Sequence, residues 1–305
     1  MSARILEVVP NFSEGRDVTV IHAIVHAMRE AGATILDWSA DSDHHRSVIT
    51  AIGPPDVVEN AAVAAAAVAR DRIDLRNHRG LHPRVGAMDV LPFVPLHGLT
   101  MADAVRTARQ AGARIAREAG IPVFYYASAS DPGGRTLSEL RRGGFEARSA
   151  GWEGTGRPDE MPPGWPHRGA HPTAGVVCAG ARTLLLAWNL YVRGLSLPTL
   201  KGIAAALRET GGGFSGLRAM AFELTGRNEM QISMNLENVE ESEPMNVVRR
   251  IEHDVTIAGG EVIRTEIIGM VPDRLLMDAA TDRLHMDASA SERLLSRSLA
   301  TYLAQ

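Results

Sequence analysis

The chain of 305 residues is 45% hydrophobic and 22% charged, and its formal net charge is -4 at pH 7. This length predicts two compact units at about 150 residues per domain, and the negative charge disfavours a nucleic-acid binder, whose surface must neutralise phosphates. The single cysteine excludes an internal disulfide framework, and no apolar run is long enough for a signal peptide or a membrane span, so a cytoplasmic protein without a membrane partner is expected.

The N-terminal part of the chain predicts alternating strands and helices. Short apolar runs indicate the strands, and apolar residues at helical spacing indicate the helices. The predicted elements are a strand at 5–9, a helix from Asp17 that Gly32 ends, strands at 34–38 and 47–52, a helix at 56–71, a strand at 87–94, a helix at 100–120 and a strand at 122–126. Thr100 and Asp103 form a capping-box signature at the start of the last helix. The leading β-α-β-β-α-β order is that of a ferredoxin-like unit.

A glycine- and proline-rich stretch separates this part from the rest of the chain. Residues 151–175 hold six glycines and five prolines, which predicts a segment between two lobes. After it the order repeats, with strands predicted at 183–192, 217–224, 229–236 and 262–268, and helices at 197–208 and from 242 to 258. The sequence therefore predicts an α+β fold made of two ferredoxin-like (βαββαβ) subdomains.

The strand predicted at 229–236 carries information about function. Its apolar side chains alternate with Gln231, Ser233 and Asn235, and side chains two positions apart share a face of the sheet. One face is therefore apolar and packs on helices, while the other is rich in amides. The polar face either meets water, or it lines a cleft between two facing sheets that binds an amide-rich ligand. Asn189 on the neighbouring predicted strand favours the second interpretation.

Residues 77–89 contain the densest group of reactive side chains, with two histidines and two arginines in a loop before a strand. His78 and His82 are four residues apart, but Gly80 and Pro83 make a helical zinc motif a poor fit. Arginines beside a histidine suit the recognition of an anion next to an acid–base group, because imidazole exchanges protons near neutrality. The alternative is a solvated or structural imidazole.

Two further polar segments are candidates for ligand contacts. Residues 41–46 lie between two predicted strands, where they can supply metal ligands together with His78 and His82, clamp a carboxylate through Arg46, or form a charged turn. Residues 167–175 contain glycines and histidines and form either a ligand wall or a flexible linker. Neither segment is accompanied by a phosphate-binding loop, a dinucleotide fingerprint or a G-x-S-x-G nucleophile motif.

Eight short motifs follow one another along roughly residues 5 to 280, at 8–15, 46–48, 53–55, 82–90, 180–182, 187–189, 231–236 and 269–272. In content and order they resemble the formiminotransferase domain of the glutamate formimidoyltransferase family. The resemblance does not extend to the helical cyclodeaminase domain of the bifunctional members, so a stand-alone transferase is expected.

The resemblance implies two ferredoxin-like lobes, 1–178 and 179–305, whose sheets face each other across a folate-binding tunnel. It implies transfer of a formimino group from N-formimino-L-glutamate to N5 of tetrahydrofolate, giving 5-formimino-tetrahydrofolate and glutamate in histidine degradation and one-carbon metabolism. Tetrahydrofolate is then a co-substrate, no metal is needed, and the partners are these small molecules and a second copy in a homodimer. The family's catalytic histidine falls on His82.

The resemblance also suggests which residues contact the substrates. The family's folate-binding stretch falls on Pro166, His167, Arg168, Gly169, Ala170, His171, Pro172, Thr173, Ala174 and Gly175. The candidate partners for the carboxylates of glutamate or of the pteroyl-glutamate are Arg46, Arg84 and Arg182. The candidate hydrogen-bond partners for the pterin or for an amide are Asn189, Gln231, Ser233 and Asn235.

The chain departs from the family pattern near the expected site. Leu81 stands where members commonly carry an acidic residue, His45 replaces the usual asparagine, and residues 161–166 replace a common Asp-Phe-Gly-Pro. These changes leave a related transferase with another one-carbon donor, such as a formyl group, as an alternative. A non-catalytic folate-binding module is a second alternative. A third is a zinc hydrolase with the ligands His44, His45, His78 and His82.

Overall fold

The computed structural model of the chain describes residues 3–131, 135–224, 229–237, 239 and 241–284, without the side chains of 274, 278 and 281–284. The chain divides between Thr183 and Leu184 into two compact units, each with its own β-sheet, helices and hydrophobic core. The fold is therefore α+β with two sheets. No helix in the described ranges combines the length and the apolar character needed to cross a lipid bilayer.

The first unit contains every strand and helix predicted before residue 127. Its elements are β1 (Ile5–Val8), β2 (Asn11–Phe12), α1 (Val18–Glu30), β3 (Thr34–Asp41), β4 (Arg46–Gly53), α2 (Pro55–Arg72), β5 (Met88–His97), α3 (Met101–Arg114), β6 (Val123–Ala127), α4 (Leu137–Leu140), α5 (Gly144–Ala150) and β7 (Val177–Ala181). A π-helical turn at Ile115–Ala119 extends α3. The sequence pattern does not indicate β2, α4, α5 or β7.

Two helices of this unit begin at side chains that cap them, and one of the two caps is predicted from the sequence. Asp17 precedes α1 and accepts hydrogen bonds from the backbone N–H groups of Thr19 at 2.9 Å and of Val20. Before α3 the hydroxyl of Thr100 accepts the N–H of Asp103, whose carboxylate accepts the N–H of Thr100 in return. The predicted capping box is confirmed, and each cap satisfies backbone donors that the start of a helix leaves unpaired.

The sheet of the first unit has seven strands among the described residues. β3 pairs with β4, β1 and β2 lie one after the other between β4 and β5, and β7 and β6 follow beyond β5. The pairs among β1 to β5 are antiparallel, whereas β7 runs parallel to both β5 and β6. Helices α1 to α3 pack on one face with core residues such as Leu6, Ile21 and Ala108. The opposite face carries Arg46 and Asp89, which contact each other.

The sequence predicts that the segment 151–175 is a linker between two lobes. This prediction is wrong, because the segment is part of the first unit. The strand that follows it, β7, inserts between β5 and β6, so the chain leaves this sheet only after residue 181. The strand predicted at 183–192 begins later, at Leu186, in the second unit. The physical reason is that β7 is held by two neighbouring strands, which a local sequence pattern does not show.

A second, smaller apolar cluster covers part of the other face of this sheet. Its members come from β5, β6, β7, α4 and the neighbouring loops, and they are Val85, Val90, Phe124, Tyr126, Leu140, Ala170, Val176 and Cys178. The helices α4 and α5 have four and seven residues, too few to be stable without tertiary packing. Tertiary packing therefore holds them, together with a capping box between Thr136 and Glu139 at the start of α4, and the sequence pattern alone does not predict them.

The second unit has the predicted βαββαβ order. Its elements are β8 (Leu186–Arg193), α6 (Leu197–Leu207), β9 (Leu217–Leu224), β10 (Glu229–Leu236), α7 (Pro244–Ile257), β11 (Glu261–Ile268) and α8 (Asp273–Leu284). The described strands form an antiparallel sheet in the order β11-β8-β10-β9. Trp188, Ile232 and Val247 belong to the core between this sheet and its helices. The predicted bounds of β9 and β10 are confirmed.

Candidate active site

Three loops of the first unit are joined by hydrogen bonds: the loop before α1, the β3–β4 turn and the loop before β5. Arg16 donates from Nε to the carbonyl oxygen of Ser42 and from Nη2 to that of Arg79, both at 2.9 Å. The N–H of Leu81 donates to the carbonyl oxygen of Asp43 at 3.1 Å. The structure therefore brings the two polar segments before β4 and β5 together.

The β3–β4 turn is fixed by hydrogen bonds to its own backbone. A carboxylate oxygen of Asp41 accepts the N–H groups of Asp43 at 2.8 Å and of His44 at 2.7 Å, which is an Asx turn. His45 has a φ of 50°, and its Nδ1 accepts the N–H of Gly15 at 3.0 Å. A Cβ on Gly15 would lie 2.2 Å from the carbonyl oxygen of Asp41, so only glycine permits this close approach. The turn thus has one defined position at the start of β4.

His82 is half-buried in the loop before β5, residues 77–87, called the His82 loop below. Its Nδ1 lies 2.7 Å from the carbonyl oxygen of Pro83. Because a carbonyl only accepts hydrogen bonds, Nδ1 carries the proton of the neutral ring and Nε2 keeps its lone pair. Burial lowers the pKa of His82 well below its usual value, and the positive charges of Arg46 and Arg141 lower it further. The ring is therefore a neutral base near pH 7.

A buried carboxylate organises the charges around His82. Asp89 is fully buried, and its Oδ2 accepts Nη1 of Arg46 at 2.9 Å and Nη2 of Arg141 at 2.5 Å. Its Oδ1 accepts the N–H of Val85 at 2.8 Å. Burial alone would raise the pKa of Asp89, but the charges of the two arginines and the hydrogen bond from Val85 hold that pKa well below its ordinary value. The ionised carboxylate and two guanidinium groups together carry a net positive charge.

A β-bulge turns Asp89 toward Arg46. The register between β2 and β5 shifts by one residue between Asn11 and Phe12, and Asp89 falls in that shift. Leu91, two residues further along β5, points into the core on the helix side, where regular alternation would also place Asp89. Asn11 completes the arrangement, because its Oδ1 accepts Nη2 of Arg46 at 2.9 Å and Nε at 3.2 Å. The bulge and this amide thus set the position of the arginine.

The other two predicted carboxylate partners have different surroundings. Arg84 binds the carboxylate of Glu146 at 2.8 Å, and the side chain of Glu146 is 66% exposed. Arg182 donates to the carbonyl oxygen of Thr183 at 2.9 Å. Burial raises the pKa of the neighbouring Tyr126 to about 12, although the charge of Arg182 opposes the rise. The side chain of Tyr126 is therefore a neutral hydroxyl. Because Glu146 is exposed, a dissolved carboxylate can replace it as the partner of Arg84.

The segment 166–175 is bound next to both ends of the His82 loop. The N–H of Leu75 donates to the carbonyl oxygen of Thr173 at 2.9 Å, and the N–H of Ala87 donates to that of Ala174 at 2.8 Å. Ala174 is buried, whereas the first three residues of the segment are exposed. The predicted folate-binding stretch is therefore held against the loop that carries the predicted catalytic histidine.

The polar face of the second sheet is partly buried. Gln231 is fully buried and donates from Nε2 to the hydroxyl of Tyr191 at 3.2 Å, and that hydroxyl donates to the carboxylate of Glu266 at 2.6 Å. Asn189 donates to the same carboxylate at 3.2 Å. The remaining predicted polar positions, which are less buried, are Ser233 and Asn235. The buried part of this face is a hydrogen-bonded network of amide, phenol and carboxylate groups, and not a solvated surface.

Comparison with known proteins identifies the family. Residues 5–182 match the formiminotransferase domain, N-terminal subdomain, and residues 187–291 match the formiminotransferase domain. A glutamate formimidoyltransferase of Streptococcus pyogenes serotype M1 is 36% identical over 292 residues, which cover 93% of this chain and 95% of that protein. One of Thermoplasma acidophilum is 35% identical over 300 residues, which cover 97% of each chain. A formimidoyltransferase-cyclodeaminase of Dictyostelium discoideum is 36% identical over 285 residues, which cover 91% of this chain and 52% of that protein.

The chain belongs to the formiminotransferase family. The resemblance carried by the eight sequence motifs is thereby confirmed. In this family member the first unit brings together the predicted residues His82, Arg46, Arg84 and the segment 166–175. The predicted residues on one face of the second sheet are Asn189, Gln231, Ser233 and Asn235.

The four histidines of the zinc-hydrolase alternative form ring contacts with one another. His45 stacks on His78 with ring centroids 4.4 Å apart, and His44 lies edge-on to His82 at 6.2 Å. Across the described ranges of the chain, no group of three or more histidine, cysteine, aspartate or glutamate side chains is arranged to hold a metal ion. The described residues of this family member therefore offer no set of metal ligands for the zinc-hydrolase alternative.

Two charged residues of the site are absent from the sequence prediction. Asp89 lies in one of the family motifs, and the signal that marks it is a carboxylate within an otherwise apolar strand, which requires cationic partners when it is buried. Arg141 lies outside every motif, and the adjacent Arg142 has the same charge but is exposed. Only the fold distinguishes these two arginines.

A stability prediction follows from His78, which is 5% exposed and lies 2.8 Å through Nε2 from the carbonyl oxygen of His45. Burial lowers the pKa of His78 to about 4. As the pH falls, the imidazole of His78 takes up a proton in the unfolded chain before it does so in the folded protein. The neutral, buried imidazole therefore contributes its full stability to the fold above about pH 6.5, and this contribution is lost between about pH 6.5 and 4. That difference corresponds to about 3 kcal/mol of unfolding free energy.

Urea unfolding at pH 7.5 and pH 4.5 tests this prediction in the wild type and in His78→Gln. The wild type is expected to lose about 2–3 kcal/mol more than the variant between these two pH values. The matched control is His26→Gln, which changes an exposed histidine of α1 and should follow the wild type. Parallel losses in the wild type and in His78→Gln would contradict the assignment.

Proposed function

We propose that this formiminotransferase family member transfers a formimino group from N-formimino-L-glutamate to N5 of tetrahydrofolate, giving 5-formimino-tetrahydrofolate and glutamate. The observation that carries the proposal is the similarity, over nearly the full length, to two proteins named glutamate formimidoyltransferase. The site supports it, because His82 offers an unprotonated Nε2 beside a positively charged group. The reaction belongs to histidine degradation and one-carbon metabolism.

His82 is the proposed catalytic residue. N5 of tetrahydrofolate attacks the formimino carbon, the N5–C bond forms, and the proton of N5 passes to Nε2 of His82. The imidazolium then gives this proton to the glutamate nitrogen while the bond between that nitrogen and the formimino carbon breaks. One side chain acts first as base and then as acid, which typically contributes about 10²–10⁴-fold. Holding both substrates in one site adds effective molarity.

The arginines are proposed to bind the carboxylates of the substrates. Arg84 would exchange the exposed carboxylate of Glu146 for one from the substrate. Arg182 is proposed as a second such partner. We propose that Arg46 attracts a substrate carboxylate through its positive charge, because its guanidinium already binds the side chain of Asp89.

The folate is proposed to contact both units of the chain. The segment from Pro166 to Gly175 is the proposed wall for folate, and its hydrogen bonds next to both ends of the His82 loop support this role. In the second unit the proposed partners of the pterin or of an amide are Asn189, Gln231, Ser233 and Asn235. The buried amide and carboxylate network on that face supports their role.

The two compact units, which divide between Thr183 and Leu184, are proposed to be ferredoxin-like. The order β11-β8-β10-β9 supports this, because numbered within the unit it reads 4-1-3-2 with antiparallel pairs. In the first unit β3-β4-β1-β5 reads as the same order from the other end. A tunnel between facing sheets, a homodimer and independence of metal remain predictions from the family resemblance, and a cytoplasmic location remains a prediction from the single cysteine and the apolar pattern of the sequence.

An assay with both substrates tests the proposed reaction. Purified protein incubated with tetrahydrofolate and N-formimino-L-glutamate is expected to form 5-formimino-tetrahydrofolate, followed by its absorbance, and to release glutamate in equal amount. Reactions that lack either substrate serve as controls. A parallel reaction with N-formyl-L-glutamate tests the alternative donor that Leu81 and His45 suggest. Faster turnover of the formyl donor would replace the proposed donor, and folate binding without turnover of either would indicate a binding module.

A further inference from the structure

We propose that Arg141 is a positioning residue for His82, because its guanidinium secures Asp89 and adds a positive charge that disfavours the imidazolium form. The inference rests on the proposed role of His82 in the transfer reaction. It concerns a residue that lies outside all of the sequence motifs and that comes from the short helical segment over the first sheet.

Arg141 reaches Asp89 from the end of α4, 52 residues away in sequence. Its Nη2 donates at 2.5 Å to the same carboxylate oxygen that binds Arg46 at 2.9 Å. The side chains of Arg141, Arg46 and Asp89 are 17%, 11% and 0% exposed, so solvent screens these charges little. One carboxylate therefore serves two cations, and because its other oxygen binds the N–H of Val85, three residues after His82, the unbalanced positive charge lies at the His82 loop.

The segment that carries Arg141 holds the His82 loop and the start of β5 at two points. Arg141 binds Asp89 on β5, and Glu146 on α5 binds Arg84 within the loop at 2.8 Å. The two glycines at 143–144 turn the chain between the helices with φ values of 80° and 66°, which glycine adopts without strain. The turn fixes the spacing between these two contacts, so the segment sets the position of the loop as well as its charge.

Among the described residues, the charged and titratable groups that act on His82 or contact its ring come from four elements. They are Arg46 on β4, Asp89 on β5, Arg141 at the end of α4 and His44 in the β3–β4 turn. A protonated His82 would be a third cation beside a single carboxylate, and like charges disfavour its formation. Without the guanidinium of Arg141, the remaining arginine and carboxylate would cancel, and the imidazolium would form at a higher pH.

Titration of His82 itself tests the inference. Arg141→Gln is expected to raise the titration midpoint of His82 by about one pH unit, as the loss of one close like charge should. The midpoint is read by NMR from the imidazole carbon-bound protons, and the signal is assigned as the one missing in His82→Gln. The acid limb of the kcat/KM profile for transfer should move to higher pH by the same amount.

Two further variants separate charge from structure. Arg141→Lys keeps the charge and should restore a midpoint near that of the wild type. Arg142→Gln makes the same charge change on the exposed neighbouring residue and should leave both the midpoint and the profile unchanged. Should Arg141→Gln not fold, Arg141→Ala, whose vacated space admits water, gives the same readout.

The outcomes distinguish this inference from the proposed function. An unchanged His82 midpoint in a folded Arg141→Gln or Arg141→Ala protein overturns the inference, even when the wild type transfers formimino groups. A raised midpoint in these variants, with no transfer by the wild type, supports the role of Arg141 and overturns the proposed reaction. A raised midpoint together with an acid limb that moves with it supports both.

Discussion

His82→Ala is expected to give a folded protein that binds tetrahydrofolate but transfers the formimino group at least about 100-fold more slowly than the wild type. Nε2 of His82 is the proposed carrier of the proton between N5 and the leaving nitrogen, and water in the vacated space is a far weaker base. The fold should tolerate the change, because the ring is half-buried and its hydrogen bond goes to the adjacent carbonyl oxygen of Pro83.

Steady-state kinetics and folate titration separate this effect from a binding defect. The expected result is a fall in kcat with little change in the KM for tetrahydrofolate, because His82 is proposed to act in the transition state and not in folate binding. His26→Ala removes an exposed histidine from α1 and should retain full activity. A His82→Ala protein within about tenfold of the wild-type kcat would remove this residue from the mechanism.

The sequence pattern predicts strands best where one face is buried and the other is polar. The strands β9 and β10 are predicted with their bounds, and for β10 the reason is that polar and apolar side chains alternate along 229–236. The strand β7 is different: its residues, Val-Cys-Ala-Gly-Ala, are buried on both faces and give no alternation. The segment 151–175 that precedes β7 is rich in glycine, which suggests a linker. Only the pairing of β7 with β5 and β6 shows that β7 is part of a sheet.

The type of chemistry at the site is easier to predict from the sequence than the ion-pair partners of its residues. The residue types in the His82 loop indicate an acid–base group beside arginines, whereas the guanidinium charges that act on His82 are those of Arg46 and Arg141, which lie outside the loop. Arg46 is predicted to clamp the carboxylate of a substrate, but the structure gives it an internal carboxylate, Asp89, 43 residues away. No spacing rule predicts that pair, because it depends on a bulge in β5 and on β2 lying between β4 and β5. Arg141 depends in addition on two short helices that need tertiary packing to be stable.

Asp89→Asn is expected to lower the unfolding free energy by about 3–5 kcal/mol, which is the usual cost of leaving a buried charge without its partner. Arg46 and Arg141 both donate to one oxygen of Asp89, and a neutral amide neutralises neither of them. In the wild type, the N–H of Val85 donates to the second oxygen of Asp89. In the variant, the NH₂ of the amide would point either at the two guanidinium groups or at this N–H, so that donors would face donors. Transfer should slow as well, because the hydrogen bond from Val85 fixes the chain that follows His82.

Urea unfolding of Asp89→Asn is best compared with Asp131→Asn. The latter removes an ion pair of similar length, 2.7 Å to Arg109, but its carboxylate is 84% exposed, so stability should hardly change. Adding Arg141→Gln to Asp89→Asn should recover part of the loss, because one of the two unpaired cations is then gone. A loss below about 1 kcal/mol in the single variant, or no recovery in the double variant, would mean that this buried carboxylate is not what holds the two guanidinium groups beside His82.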